Sequence, residues 1–392
     1  MPGSVIVAGA RTPIGKLSGG LAGFSGADLG GFAMLAALER AGVAPEDVDQ
    51  VLMGQVLLAG AGQIPARQAA VKAGIPMTVP ACTVDKVCLS GLNALYQADL
   101  MIQAGDAAIV VAGGQESMTN APHLLSGARS GLRLGDAALV DSMLHDGLTD
   151  ASDQVSMGLS TDRFAAAAGI SRAAQDDFAA KSHERAAVAM KGGRFDAEIV
   201  PVAVPQRRGD LLVVGEDEGV RPGTTAVSLG GLRPAFDREG TVTAGNASQI
   251  SDGAAALVVM SRAEAERRGV PVLAEVVAYG MVAGPDNSLL TQPSRAIGAA
   301  LAKAGLGVQD LGVFELNEAF AAVALASMDE LGITDDVTNL NGGAIALGHP
   351  IGASGARLAL TLAIELQHRG GLGTAALCGG GGQGDAVILR AG

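Results

Sequence analysis

The chain has 392 residues, 48% hydrophobic and 17% charged, a balance that excludes a disordered polypeptide and allows roughly two to three domains around a large core. Aromatics are only 3% and Trp is absent, so the interior must be built from closely packed Ala, Val, Leu and Ile, with 57 glycines permitting tight approaches; this suits α/β layers better than a β-sandwich. The formal charge, 27 − 40 = −13, argues against a nucleic-acid partner, and an anionic ligand would need local cations such as Arg221 or the Gln206-Arg207-Arg208 run, each of which also fits an ordinary solvated face.

In chain order, residues 4–8 read as a buried strand and 30–41 as a helix stopped by Gly42. A strand at 49–58, a short helix at 66–73 and an extended segment at 79–84 follow. Cys88-Leu-Ser90-Gly91 then opens a helix over 92–103, which carries the apolar stripe Leu92, Leu95, Tyr96, Leu100, Met101. Residues 107–114 form a short apolar strand ending in Gly113-Gly114. Strands alternating with helices predict parallel pairing through right-handed crossovers.

From 120 to 249 apolar strands become rare and Pro, Asp, Arg and Ser rise, apart from one clear helix over 171–191 that starts at Ser171 as N-cap. This stretch reads as a long insertion, a length at which loops usually carry binding or assembly work, the plainer alternative being a structural cover. The αβ pattern then returns. Residues 251–260 read as a helix start or a strand, 263–268 as a helix and 272–279 as a strand. A helix over 293–304, a strand over 313–317 and a helix over 319–331 complete this part.

Asn341 to Arg357 holds one imidazole, His349, in a run of Gly and Ala, followed by Pro350 and then a helix with Leu358, Leu362 and Leu366 in step. The pattern Gly352-x-Ser354-Gly355, helix, Gly370-Gly371, strand 375–378, glycine run repeats Cys88-x-Ser90-Gly91, helix, Gly105, strand, Gly113-Gly114. Two similar halves packed about a pseudo-twofold axis would bring Cys88 to His349.

The three cysteines (82, 88, 378) form no disulfide framework, and neither they nor the five histidines show zinc spacing, so a reducing compartment is expected. The start lacks the pattern of a signal peptide, no apolar run approaches membrane-spanning length, and the last residues are no peroxisomal tripeptide; a cytoplasmic, membrane-free protein is the expectation. Cys88 precedes a helix whose free N–H groups would stabilise a thiolate or a developing oxyanion, although most cysteines are small buried hydrophobes. Cys378 is followed by four glycines, more than packing alone would need, which would let a backbone N–H such as that of Gly380 line a cavity. A phosphate-cradling loop is the rival, but no Lys-Ser/Thr follows. Asn317 after its strand fits either an N-cap or a residue that fixes an active-site water.

Taken together, Val87-Cys88-Leu-Ser-Gly91, Gly245-Asn-Ala-Ser248, Asn317-Glu-Ala-Phe320, the stretch 342–352 around His349 and Cys378-Gly-Gly-Gly-Gly-Gln-Gly384 resemble the thiolase family over essentially the whole chain. Ala10-Arg-Thr-Pro-Ile-Gly15 and Gly114-Gln-Glu-Ser-Met118 also match. The resemblance implies two similar α/β halves in an α-β-α-β-α layered core. The halves would be 1–119 plus 250–270 and 271–392, with 120–249 as a loop domain for coenzyme A binding and oligomerisation. It further implies an acetyl-CoA C-acetyltransferase activity, with coenzyme A as substrate and product and neither metal nor organic cofactor. In that scheme Cys88 is the acylated nucleophile. His349 activates it and shares one oxyanion site with a water held by Asn317. The N–H groups of Cys88 and Gly380 form the second oxyanion site, and Cys378 is the acid/base at the methyl of the second acetyl-CoA. Ser248 would meet the pantetheine arm, Arg221 and Ser228 the nucleotide end, and Leu148, Met157, Phe236, Ala244 and Phe320 would wall the pocket. Residues 131–136 and 146–150 resemble the loop through which members assemble as homotetramers, a dimer of dimers.

Two positions depart from the family: Ser156 stands where many biosynthetic members carry His, and Lys86 sits where members vary. The first leaves open a broader-chain degradative thiolase. A β-ketoacyl synthase-like enzyme would lack Cys378, and a non-catalytic acyl-CoA-binding relative would be expected to lose Cys88, His349 or Cys378.

Overall fold

A computed structural model describes residues 3–206 and 209–392. Arg207 and Arg208, two of the candidate cations, lie outside the described residues.

The first half is built from β1 (Ser4–Arg11), the short β2 (Gly15–Lys16), α1 (Gly26–Ala41), β3 (Gln50–Gly54), α2 (Pro65–Lys72), β4 (Ala81–Val84), α3 (Ser90–Ala104) and β5 (Ile109–Ser117). Helix α1 starts earlier than its apolar stripe indicates. Ser25 and Asp28 form a reciprocal capping box, Asp28 N donating to Ser25 Oγ at 3.2 Å and Ser25 N donating to Asp28 Oδ2 at 2.9 Å. The excursion that follows contains the small ladders β6 (His123–Leu124) with β7 (Val140–Asp141) and β8 (Val202–Val204) with β9 (Leu212–Val214). Its helices are α4 (Met157–Ala167), α5 (Arg172–Lys191), capped by Ser171 as expected, and α6 (Ala226–Gly230). The chain returns through β10 (Ser251–Ser261) and α7 (Arg262–Arg268). It then builds the second half from β11 (Ala274–Ala283), α8 (Gln292–Ala304), β12 (Leu311–Leu316), α9 (Ala321–Leu331), α10 (Ala344–Leu347), α11 (Ser354–Arg369), β13 (Leu372–Gly379) and β14 (Gln383–Ala391).

The strand order β4-β3-β5-β10-β1 in the first half continues through an antiparallel β1–β11 contact into β11-β14-β13-β12. Strands β3, β5, β10 and β1 therefore correspond to β12, β13, β14 and β11, and α3 corresponds to α11, which bears out the internal repeat. The place of β4 is taken in the second half by a single bridge between Phe314 and Thr338. Pairing is mixed rather than all parallel. Among the strand pairs of the described residues, β3–β4, β3–β5 and β12–β13 are parallel and the rest antiparallel, because β14 turns straight back from β13 and β10 re-enters antiparallel from the excursion.

Helices α3 and α11 pack on each other between the two half-sheets, α1 and α2 cover the outside of the first, and α8 with α9 cover the second. The central layer joins Leu92, Leu95 and Ile102 of α3 to Leu358, Leu362 and Leu366 of α11. Each fully buried Leu contributes about 1.5–3 kcal/mol. Helix α11 is buried on all sides from Ser354 to Leu366, so its charged members need partners inside the protein; Arg357 finds Glu315 at 3.6 Å. Among the described residues, no helix is long and apolar enough to cross a membrane.

Candidate active site

The loop between β4 and α3 carries Cys88. Val87 just before it has φ 51°, a left-handed conformation that a β-branched residue avoids and that costs of order 1–3 kcal/mol. Local hydrogen bonds hold it: Val87 N donates to Asp85 Oδ1 at 3.0 Å, and Ser90 Oγ accepts from Lys86 N at 2.8 Å while donating to Val87 O at 2.6 Å. The serine of the Cys-x-Ser-Gly pattern is thus the brace of the turn that aims the thiol. Cys88 itself is half-buried.

His349 sits on the tight loop before α11 and is only 5% exposed. Its Nδ1 lies 2.6 Å from Ser354 Oγ, and that hydroxyl donates to Pro350 O at 3.0 Å. Having spent its proton there, Ser354 accepts from Nδ1–H, so Nε2 keeps its lone pair. Asn317 Nδ2 is 3.3 Å from Nε2. Asn317 is no N-cap, since α9 begins only at Ala321 after Phe320; it is fully buried, and its Oδ1 has no hydrogen-bond partner among the described residues.

The two glycines of the repeated pattern explain how distant residues meet. A Cβ on Gly91 would lie 2.9 Å from Ala356 N and Gly352 O, and one on Gly355 would lie 2.4 Å from Leu92 N. The first turns of α3 and α11 therefore touch backbone to backbone, which sets the Cys88 and His349 loops side by side. Glu116 on β5 adds a tie. Its buried carboxylate accepts from Val56 N (3.0 Å), Leu57 N (3.2 Å) and Gly352 N (3.0 Å).

Cys378, at the end of β13, is buried, and the turn after it packs against the Cys88 loop. Each of its four glycines has its own reason. A Cβ on Gly379 would meet Leu89 at 2.6 Å. Gly381 and Gly382 have φ of 76° and 65°, and a Cβ on Gly382 would lie 2.0 Å from Asp286 O. Packing and turn geometry thus account for three of the four, while Gly380 lines the cavity.

Burial pushes the Cys88 thiol up to about 12, with the Glu116 and Asp85 charges adding to it, while the backbone N–H groups of Cys88 and Gly380 pull the other way. The two N–H groups act in favour of the thiolate, as expected at a helix start, and loss of water outweighs them. Burial raises Cys378 as well, helped by proximity to Cys88, and burial with the Arg357 charge lowers His349 to about 3. Burial thus favours the neutral forms at rest, two thiols and a neutral imidazole.

Val87, Cys88, His349, Cys378 and Gly380 enclose an inner chamber of about 60 Å³. It shares Leu148, Met157, Ser248, Phe320, His349 and Ile351 with an outer cavity of about 510 Å³. Phe236, edge-to-face with Phe320 at 6.5 Å, lines this outer cavity, as do Ala244 and Arg221. Ser228 does not reach it: exposed in α6, its hydroxyl donates to Thr225 O at 2.7 Å as part of a capping box. The cavity is also lined by Lys16, and Leu144 and Leu148 come from a single π-helical turn (Met143–Leu148). Lys16, Ser354 and Glu116 are site residues beyond the expected set, the last two lying inside motifs that the sequence shows without a role attached. Ser354 was legible, because it repeats Ser90. Lys16, in a two-residue strand, carried no signal.

A half-buried thiol beside backbone N–H groups, an imidazole whose Nε2 can take a proton and a second thiol can form and break a thioester and hold a proton beside it. The comparisons agree with that chemistry. The family described as thiolase, N-terminal domain, matches residues 4–263, and thiolase, C-terminal domain, matches 270–391. A probable acetyl-CoA acetyltransferase of Mycolicibacterium smegmatis is 57% identical over 387 residues, 98% of this chain and 100% of the relative. An acetyl-CoA acetyltransferase of Cupriavidus necator is 53% identical over 98% of both chains, and one of Pseudomonas aeruginosa is 50% identical over 98% of both. Matched from β1 to β14 by both domain families and carrying the two-cysteine, one-histidine chamber between its halves, the chain belongs to the thiolase family.

Proposed function

We propose that the chain is an acetyl-CoA C-acetyltransferase that joins two acetyl-CoA into acetoacetyl-CoA and coenzyme A, and runs the reverse thiolysis. The observation that carries this is the convergence of Cys88, His349, Cys378 and Gly380 on one chamber of about 60 Å³ at the inner end of a largely apolar cavity.

In the first half-reaction, His349 Nε2 takes the Cys88 proton as the sulfur attacks the thioester carbonyl. The carbonyl oxygen, now negative, is held by the N–H groups of Cys88 and Gly380. Coenzyme A leaves with the proton from His349, and Cys88 is acetylated. In the second, His349 Nε2 first takes the Cys378 proton, and the Cys378 thiolate so formed takes a proton from the methyl of the next acetyl-CoA. The protonated Nε2 of His349 and a water on Asn317 hold the enolate oxygen, the carbanion attacks the acetyl-Cys88 carbonyl, Cys88 leaves as thiolate and takes the proton from Cys378, and His349 returns its own proton to Cys378. A thiol suits the first role because it is both a good nucleophile and a good leaving group.

A small chamber walled by Met157, Leu289 and Phe320 favours a short acyl group over the long chains of a degradative thiolase. The outer cavity suits the pantetheine arm, with Ser248 beside it and Arg221 and Lys16 toward the phosphates, a local cationic end on an acidic protein. Residues 120–249 act as the loop domain, supplying this cavity and, in 131–136 and 146–150, the contacts of a homotetramer; a cytoplasmic enzyme of acyl-CoA metabolism needing no added cofactor is the simplest setting. Steady-state thiolysis of acetoacetyl-CoA against longer 3-ketoacyl-CoAs tests the reading. A kcat/KM that falls steeply with chain length supports it, and equal or rising values favour the degradative alternative.

A further inference from the structure

Lys86 Nζ lies 2.7 Å from Asp385 Oδ1, across 299 residues of sequence and across the boundary between the two halves. Asp385 is fully buried, and its other oxygen accepts from Tyr279 OH at 2.7 Å. Tyr279 in turn stacks on Tyr96 of α3, ring centroids 4.3 Å apart. The two ends of the pair are tied to the chemistry by the chain itself. Lys86 is two residues before Cys88, and its N–H is bound by Ser90 in the turn that holds Val87 in its left-handed conformation. Asp385 faces Leu377 in the β13–β14 ladder, and its neighbour Gly384 faces Cys378. The glycine turn that bears Gly380 lies just beyond the Cys378–Gly384 position, and a Cβ on Gly380 would lie 3.4 Å from the Val87 side chain.

We propose that Lys86 and Asp385 are positioning residues: an interdomain ion pair that clamps the nucleophile loop of one half onto the Cys378–Gly384 hairpin of the other, and so sets Cys88 against Gly380 N–H and Cys378. This rests on the thiolase reading of the site. Neither residue lines the chamber or the outer cavity, so the pair acts on geometry and not on substrate binding. Besides the pair, the strained Val87 turn and the glycine-rich hairpin meet through van der Waals contact and the pull of Gly380 N–H on the Cys88 sulfur. A shift of about 1 Å between the sulfur and its donors can cost on the order of a hundredfold in rate.

The experiment compares wild type, Lys86→Met, Lys86→Arg, Asp385→Asn and the double variant Lys86→Met/Asp385→Asn, with acetylation of the Cys88 peptide by acetyl-CoA measured on each. The expected result is that Lys86→Met loses ~10–100-fold in kcat with KM for acetyl-CoA within about twofold, and that Lys86→Arg recovers most of it. Because both residues act through one contact, the double variant is no slower than Lys86→Met. Lys86→Met leaves a carboxylate buried without its cation and risks the fold; the double variant removes both charges and decides the matter in that case. An unchanged kcat in the folded double variant overturns the proposal, as does a rise in KM alone or a loss of kcat that only follows the folded fraction. Wild-type acetylation at Cys88 with any of these results removes the clamp and leaves the thiolase reading standing; a folded wild type that takes no acetyl group removes both.

Discussion

Ser354 Oγ stands 2.6 Å from His349 Nδ1 and gives its own proton to Pro350 O, so one hydroxyl fixes both the orientation and the tautomer of the buried imidazole. Ser354 occupies in the second half the place that Ser90 occupies in the first. One brace aims a thiol and the other aims a base.

Replacing Ser354 by Ala removes the acceptor of Nδ1–H while leaving the imidazole in place. Kcat should fall by about 10-fold or more, in the range seen when an orienting partner of a functional His is lost, with KM little changed, and Ser354→Thr should restore most of it. Steady-state kinetics with acetoacetyl-CoA and coenzyme A make the check. An Ala variant at wild-type rate would show that packing alone holds the ring.

The resting protonation state has a pH signature. With burial raising the thiol to about 12 and lowering the imidazole to about 3, the neutral pair is the expected form at neutral pH. Alkylation of Cys88 by iodoacetamide should therefore climb steadily as pH rises from 6 to 10, because each step up in pH adds thiolate. A flat rate from pH 5 to 8 would mean a preformed ion pair and would contradict the neutral resting site.

Gly355 tests how the halves meet. A methyl there would fall 2.4 Å from Leu92 N, against backbone that cannot rotate away. Gly355→Ala should cost about 1–3 kcal/mol in denaturant unfolding, and should lower activity beyond the loss of folded protein by spreading the Cys88 and His349 loops. Wild-type stability would show that α3 and α11 have slack at their first turns.

Phe320 bounds both the chamber and the outer cavity and packs on Phe236. Phe320→Ala should shift preference toward longer acyl groups by about 10-fold or more, since each added methylene in a closed pocket is worth about 1–3 kcal/mol; stability should drop by about 3–5 kcal/mol. Relative kcat/KM across a series of 3-ketoacyl-CoAs reads the shift, and an unaltered profile would move the chain-length limit elsewhere.

Much of this was legible in the sequence. The repeated Gly-Ser pattern announced two equivalent helices, and the isolated His349 and the glycine-flanked Cys378 stood out against an alanine-rich background. What stayed hidden has physical reasons. Strand β10 is buried on both faces, so it shows a continuous apolar run with no alternation to separate it from a helix. Helix α4 went unread because its buried side includes Ser160, Thr161 and Asp162, whose partners are inside the protein rather than in solvent. Strand β14 was masked by the glycines before it. The left-handed Val87 and the Lys86–Asp385 pair leave no periodic trace, since one is a single dihedral and the other joins residues 299 positions apart.

The most direct measurement is peptide mass spectrometry of the folded protein after brief exposure to acetyl-CoA, beside Cys88→Ala. A single acetyl adduct on the peptide containing Cys88, released by coenzyme A and missing from the Cys88→Ala protein, is the result that the covalent mechanism requires. An adduct on Cys378 instead, or turnover that survives in Cys88→Ala, would contradict the assignment of Cys88 as nucleophile.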